Sequence, residues 1–270
     1  MIGIVGDAHF GARNGSPEYH EYFSEFWKDF FAWVQKNKVK KVIFEGDTFD
    51  VRKHVNTWTL DFFKKVVVQQ VLDLDLEVFV IVGNHDIYYK ESLKINTPDL
   101  VLSEYSKNFK VISEPTEVTL EGYRWLLVPW VTKENSSAVA EAVKASEADY
   151  CVGHFEFDGF PMHPGSIAKT HMNHSTYKKF KLVLSGHYHT QSRKDNVLYT
   201  GTPYEITWID CGDPKGFFKF DDGEFEFIQN THTIHRKISY PEKPSDLRSK
   251  YVQAYVEDLS DRKAIEAWKQ

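Results

Sequence analysis

Short apolar runs that stop abruptly at polar residues set the rhythm of the amino-terminal half of this chain. Ile2-Gly3-Ile4-Val5 leads to Asp7, Val42-Ile43-Phe44 to Gly46-Asp47, and the run from Glu77 to Val82 to Gly83-Asn84-His85-Asp86. Each run has the length of a buried strand. Between the first two, Tyr19, Tyr22, Phe23, Phe26, Trp27, Phe30 and Val34 recur at helical spacing, and a second helix is expected from about Thr57 to Leu74. The alternation predicts an open α/β sheet, in which ligands gather just beyond the carboxyl ends of the strands.

Further along, a short helix is expected near Pro98 to Ser106, then strands around Val111, at Val118 to Leu120 and at Trp125 to Val128, and an amphipathic helix from Ser136 to Ser146. Tyr150-Cys151-Val152 then runs into Gly153-His154, and Leu182-Val183-Leu184 into Gly186-His187-Tyr188-His189, so an apolar strand ends in a polar tip five times. Residues 157–175 carry Gly, Pro and three His with no period, which predicts a long loop of the kind retained for function or left mobile. Phe217 to Phe220 and Phe225 to Phe227 flank Asp221-Asp222-Gly223, a hairpin signature expected to close a second sheet. Pro241-Glu242-Lys243-Pro244-Ser245 reads as a linker, followed by a strand at Tyr251 to Val256 and the start of a helix at Asp261 to Trp268. The pattern stops in mid-helix, as expected of a truncated end or a very small second domain.

Composition narrows the class. A chain of 270 residues with 41% apolar and 15% aromatic content can bury the core of one large domain, with or without a small appendage. No run of about 18 apolar residues occurs, and Met1 leads straight into a strand with no room for a signal sequence, so a cytoplasmic protein that does not span a membrane is expected. Cys151 and Cys211 read as reduced thiols. A formal charge of −6 argues against coating nucleic acid by bulk electrostatics, although an acidic metal site contributes to that figure. The lysines at 36–41, 64–65 and 178–181 read as solvated faces.

The chemistry lies in the five tips, Asp7-Ala8-His9, Gly46-Asp47-Thr48-Phe49-Asp50, Gly83-Asn84-His85-Asp86, Gly153-His154 and Gly186-His187-Tyr188-His189. Carboxylates, imidazoles and one amide oxygen suit borderline-hard divalent metals, and the lack of thiolates argues against a structural zinc site. In Asp7-Ala8-His9 and His187-Tyr188-His189 the two-residue spacing on an extended segment points both side chains the same way. Singly, each motif has an ordinary explanation as a surface pair or an Asx turn. Together, in this order and each at a strand end, they do not.

These motifs resemble the calcineurin-like metallophosphoesterases over about residues 1–235. Within that superfamily, Gly-Asp-Thr-Phe-Asp, Gly-Asn-His-Asp, Gly-His-Tyr-His and Gly-Thr-Pro-Tyr-Glu (residues 201–205) look most like the SbcD-type recombination nucleases, a group that includes a T4-type phage nuclease subunit. Protein Ser/Thr phosphatases differ, since they carry Asp-Arg-Gly where this chain has Asp50-Val51-Arg52 and end the third motif in Glu. The resemblance implies a four-layer αββα sandwich over residues 1–238 and, over 239–270, the beginning of a small capping domain that guides DNA. It implies one ion on Asp7, His9, Asp47 and His189 and another on Asp47, Asn84, His154 and His187, with Asp47 as the bridge. Mn²⁺ is expected first, with Mg²⁺, Zn²⁺ or Fe²⁺ as alternatives. The ion pair would activate a hydroxide for attack on a phosphodiester. His85 would act as general acid, since an imidazole titrates near neutrality. Asp50 would accept a hydrogen bond from His85 and orient it. Some relatives have His at the position of Asp50, and His54 is a candidate substitute for it in contacting phosphate.

The function expected on these grounds is a Mn²⁺-dependent DNA nuclease in recombination or repair, homodimeric through helices near 57–74 and 90–107, with an SMC-like ATPase subunit as partner in a bacterial or phage-infected cytoplasm. A phosphoesterase acting on a small nucleotide or other phosphodiester needs the same metal chemistry and different loops. A non-catalytic scaffold is the third possibility, and intact His85 with a complete ligand set argues against it. The remaining histidines, His20, His163, His171, His174, His232 and His235, read as surface residues, the loop ones being the exceptions to watch.

Overall fold

The computed structural model describes residues 1–242, 250–256 and 262–268. Two six-stranded sheets face each other. The first has the order Glu224–Gln229, Gly216–Asp221, Ile2–Val5, Lys41–Phe44, Glu77–Ile81, Phe109–Ile112, and the last four of these run parallel. The second has the order Ser192–Lys194, Val197–Tyr199, Leu182–Gly186, Tyr150–His154, Tyr123–Val128, Thr116–Leu120, with its central strands also parallel.

Period-two alternation sorts the side chains into layers. In the first sheet Ile2, Ile4, Ile43, Phe79 and Ile81 turn inward and meet Trp125, Leu127, Val152 and Leu184 of the second, which forms the central core. Val5, Val42, Phe44, Val78 and Val80 turn outward against the Pro17–Lys36 helix and the helical segment beyond residue 57. On the far side, Leu126, Cys151 and Val183 of the second sheet pack on Val139 and Val143 of the Ser136–Ala145 helix. Helix, sheet, sheet, helix is the predicted four-layer sandwich.

Several local expectations change. The hairpin Gly216–Asp221/Glu224–Gln229 does not close the second sheet; it extends the first, pairing antiparallel with Ile2–Val5 in the register Ile4 to Phe218. Its inward phenylalanines still reach the central core, which is why the sequence pattern alone does not choose between the sheets. The helix expected over 57–74 runs as Thr57–Phe63 and Gln69–Asp73 with a wider π turn at Lys64–Val68 between them. Phe63, Val67 and Val71 are fully buried at successive steps of four, and the wide turn keeps that row on the core side. The 157–175 loop contains a small hairpin, Pro161–His163 with Ser166–Ile167. Toward the end, Tyr251–Tyr255 pairs in parallel with His235–Ser239, and a helix spans Arg262–Trp268; Lys243, Pro244, Ser245 and Asp261 of the expected linker and helix start lie outside the described residues. Among the described residues no helix is long and apolar enough to cross a membrane.

Behind the first sheet, the Gly-Thr-Pro-Tyr-Glu segment acts as a clasp. The Tyr204 hydroxyl donates to the Ala8 carbonyl, and the ring stacks on Phe23 at 3.8 Å. The buried Glu205 carboxylate accepts the backbone N–H groups of Ile234 (2.9 Å) and His235 (2.8 Å). Burial alone raises its pKa, but the hydrogen bonds from the His235 ring and these two amides outweigh it and leave it depressed. Glu205→Ala strands both buried donors and should cost about 2–4 kcal/mol in urea unfolding. A depressed native pKa gives stability that is complete above the unfolded value, about 4.3, and is lost as the pH falls through the native one. The margin of wild type over Glu205→Gln should therefore be flat above about pH 5 and close on acidification below about pH 4.

Candidate functional site

All five strand-end tips meet at one edge of the sandwich, where the carboxyl ends of the two sheets face each other. The first two tips are zipped together beyond their strands. His9 N–H donates to Asp47 O (2.9 Å), Phe10 N–H to Thr48 O (2.8 Å) and Asp50 N–H to Phe10 O (3.0 Å). Close approach then demands glycine. A Cβ on Gly46, whose φ is +104°, would lie 2.4 Å from His154 Nδ1, and one on Gly83 would lie 2.2 Å from the Asp47 amide nitrogen. His9, Asp47 and His187 themselves hold positive φ values of 43°, 46° and 89°, local strain of the kind that packed functional sites sustain.

The buried Asp86 carboxylate builds the Gly83-Asn84-His85-Asp86 turn by accepting N–H groups from Gly83 (2.9 Å), Thr48 (3.3 Å) and Phe49 (3.1 Å). Burial, and then the charge of Asp47, push its pKa up to about 7 against those donors. The turn delivers Asn84 Oδ1 to within 2.9 Å of both His154 Nε2 and His187 Nδ1. His85 is tied in through its own N–H, which donates to Asp47 Oδ1 at 2.7 Å.

Ring tautomers follow from the partners. His154 Nδ1 faces the Glu45 carbonyl at 2.8 Å, so it carries the proton, and in the neutral ring Nε2 presents a lone pair to Asn84 Oδ1 and to Asp47 Oδ2 at 3.3 Å. His9 Nδ1 likewise faces the Asp50 carboxylate at 3.1 Å, turning Nε2 toward His189 Nε2 at 3.1 Å and Asp47 Oδ2 at 3.8 Å. Three groups of ligand atoms within 4.8 Å of one another result among the described residues: Asp7 with His9 and His189, Asp47 with His154 and His187, and His9 with Asp50 and His85, the last being the orienting contacts of the first cluster. Asp47 also stands between the first two, in reach of both His9 and His154.

Acceptors that converge without donors need positive charge among them. Burial disfavours a charged His9, but the Asp50 hydrogen bond and the carboxylates of Asp47 and Asp7 outweigh it and hold its pKa up to about 9. His154 is carried to about 9 against burial by Asp47 and Asp7. His187 is pressed down to about 3 by burial and the charge of His154, and His189 to about 3 by burial and the charge of His9. In each cluster the surroundings favour positive charge on one ring, His9 or His154, over the other, His189 or His187. The donor set fits two divalent cations, His9, His154 and Asn84 having their remaining atoms already oriented by carboxylate, carbonyl or turn.

Asp50 accepts the expected hydrogen bond from His85, but through its backbone and not its side chain. The Asp50 carboxylate orients His9, and His85 Nδ1 donates to the Asp50 backbone carbonyl at 2.6 Å. The cause is the zipper between tips, which sets the Asp50 side chain beside His9 and leaves its carbonyl facing His85. His54 is exposed and lines a separate 240 Å³ groove with Arg52, Lys53 and Tyr88 rather than the cluster. Of the histidines read as surface residues, His20 and His235 are buried. His20 is stacked on Phe62 at 4.1 Å and on Trp58 at 5.4 Å, and His235 is within 3.1 Å of the Tyr19 hydroxyl.

Other supports escape a reading based on motif spacing. Glu45 orients His154 through its carbonyl, while burial drives its own carboxyl, bonded to Thr200, up to about 8. The buried Lys215 donates to the His189 carbonyl (2.8 Å) and to Asp210 (2.9 Å). Trp130 lies against His187 and His154. A signal was present only for Glu45, which directly precedes a ligand-bearing glycine tip.

The family described as calcineurin-like phosphoesterase matches residues 1–191. The chain is 38% identical over 242 residues to "Exonuclease subunit 1" of Enterobacteria phage T4, covering 88% of this chain and 70% of that protein. Solved structures similar to it include a novel archaeal phosphodiesterase (12% identity, 85% of this chain and 99% of that one, TM-score 0.44) and a hypothetical protein from Thermus thermophilus (13%, 84% and 96%, TM-score 0.44).

The close approach of the tips is open to a direct test. Gly83→Ala drives a Cβ into the Asp47 backbone, where no flexible group can yield, and should destabilise by about 2–3 kcal/mol or more. Gly122→Ala, at φ +82° with nothing within 4 Å, should cost only the left-handed penalty of about 1 kcal/mol. Equal losses in denaturant melts would show that the turn has slack.

Proposed function

Because this chain belongs to the calcineurin-like phosphoesterase family and is therefore a metal-dependent hydrolase, we propose that it is a Mn²⁺-dependent DNA nuclease, cutting phosphodiester bonds at the site formed by Asp7, His9, Asp47, Asn84, His85, His154, His187 and His189. The observation that carries this reading is the convergence of carboxylates, imidazoles and the Asn84 amide oxygen on both sides of Asp47, with the His85 ring at one end. Asp7, His9, Asp47 and His189 would hold one ion, and Asp47, Asn84, His154 and His187 the other. Bound there, two ions would supply the chemistry of a water made nucleophilic at neutral pH and would offset the charge that gathers on the phosphate.

The chain's own groups do the rest. Asp50 fixes the His85 tautomer through its carbonyl, so that in the protonated ring Nε2–H is free to give its proton to the departing sugar oxygen. Asp50 and Glu45 keep the ligating nitrogens of His9 and His154 turned toward the cluster. Asp86 holds Asn84 and His85 in one turn.

A DNA substrate and a partner subunit are supported by the likeness to a phage exonuclease subunit. An SMC-like ATPase is the partner we propose, with residues 239–270 beginning a capping domain that guides DNA. A homodimer is supported by Trp58, Leu72, Ile95 and Leu100, exposed apolar side chains in the 57–74 and 90–107 segments, of which Leu100 is 72% exposed.

End-labelled DNA and bis-p-nitrophenyl phosphate test the activity, with chelation abolishing cleavage of both. His85→Ala should lower cleavage by about 10²- to 10⁴-fold while about two metal ions per chain remain bound. Asp47→Asn should lower the metal content itself, read by atomic absorption after gel filtration. Full activity in His85→Ala would remove the ring from the acid role.

A further inference from the structure

A groove of 520 Å³ opens directly off the histidine cluster. One of its lining residues is His154 itself, and its wall continues over Trp130 to Lys169, His171 and Met172. The half-buried Trp130 indole lies 5.0 Å from the His187 ring and 5.8 Å from the His154 ring, centroid to centroid. His85 belongs to the other end, its ring 5.0 Å from that of His9, with Asp47 between His9 and His154.

The outer wall is held in shape. Thr170 N–H donates to Asp158 Oδ1 (3.0 Å), Asp158 N–H to Met172 O (2.9 Å), and Met172 N–H to Thr170 Oγ1 (3.3 Å). The volume falls in the range of about 300–1,000 Å³ typical of small-ligand sites. Lys169 brings positive charge and His171 a ring nitrogen able to donate, and Glu156, the one acidic side chain among the lining residues, opposes the lysine. The groove is therefore no simple anion trap. What it offers first is an aromatic face, with a lysine and an imidazole at the rim, and these are the complements of a nucleobase and its phosphate.

The direction of the reaction says which nucleotide belongs there. Water gives up one proton to solvent and its oxygen joins phosphorus, the P–O bond to one sugar breaks with its electron pair on the sugar oxygen, and His85 supplies the proton that this oxygen takes up. The leaving sugar is thus at the His85 end, and the other nucleoside keeps the phosphate and extends the opposite way. We propose that the Trp130 groove is the subsite for this phosphate-retaining nucleotide, its base stacked on the indole and its next phosphate met by Lys169 and His171. The assignment of direction rests on the phosphodiesterase reading above.

Equilibrium titration of the Mn²⁺-loaded protein with thymidine 5′-phosphate, thymidine 3′-phosphate and methyl phosphate isolates the contribution of the nucleoside. Wild type should bind at least one nucleotide about 5- to 150-fold more tightly than methyl phosphate, the range for one stacked base. Trp130→Ala should erase that preference and Trp130→Phe keep most of it. Equal affinity for all three in wild type overturns the proposal. So does a Trp130→Ala variant that loses methyl phosphate as severely as nucleotide, since the indole then only buttresses His154 and His187. Because binding is read without turnover, a Trp130-dependent nucleotide preference in a protein that cuts no DNA supports the subsite and sinks the nuclease reading, whereas DNA cleavage without any such preference does the reverse.

Discussion

Lone pairs meeting lone pairs around Asp47 are the constraint on which the rest of this structure depends. Asn84 Oδ1 faces two ring nitrogens, His9 Nε2 faces His189 Nε2, and the Asp47 carboxylate lies between His9 and His154. Such a set repels itself unless positive charge enters it. Protons on His9 and His154 satisfy it in one way and cations in another, and the two cannot coexist at the same lone pair, so loading with metal expels protons. Much of what lies behind the site holds these acceptors still: the Glu45 carbonyl, the Asp50 carboxylate, the three amides on Asp86, and Lys215 beneath His189.

The strand-end motifs are legible in the sequence because two independent patterns coincide at them. Strand alternation says where each apolar run stops, and the residue types at the stop say what chemistry gathers there. The layers are legible for a similar reason, since the runs are apolar on both faces and must be covered on both. The 217–227 hairpin marks the boundary of this information: alternating phenylalanines announce a buried face without naming the sheet that they join. His20 and His235 mark it again. An imidazole in a sequence carries no sign of whether aromatic rings will close over it.

Asp50 is the instructive intermediate case. Its place three residues beyond Asp47 singles it out, and it orients two histidines, His9 through its carboxylate and His85 through its carbonyl. Which of its two acceptors, carboxylate or carbonyl, meets which ring is decided by lateral hydrogen bonds between the first two tips, a relation between segments about 40 residues apart that no local pattern encodes. Trp130 and the 169–172 wall are hidden in the same way. They belong to elements whose own periodicity is ordinary and acquire a role only from the neighbours that the fold gives them.

The cluster draws on residues from Asp7 to His189, and neither sheet holds a complete set: the first brings Asp7, His9, Asp47 and Asn84, and the second brings His154, His187 and His189. During synthesis the chain must therefore emerge at least through His189, and the two sheets must dock, before the acceptors face one another. Long-range assembly of this kind is slow. The delay acts as a safeguard, because a hydrolase whose metal-binding groups are divided between two sheets cannot assemble its centre on either sheet alone.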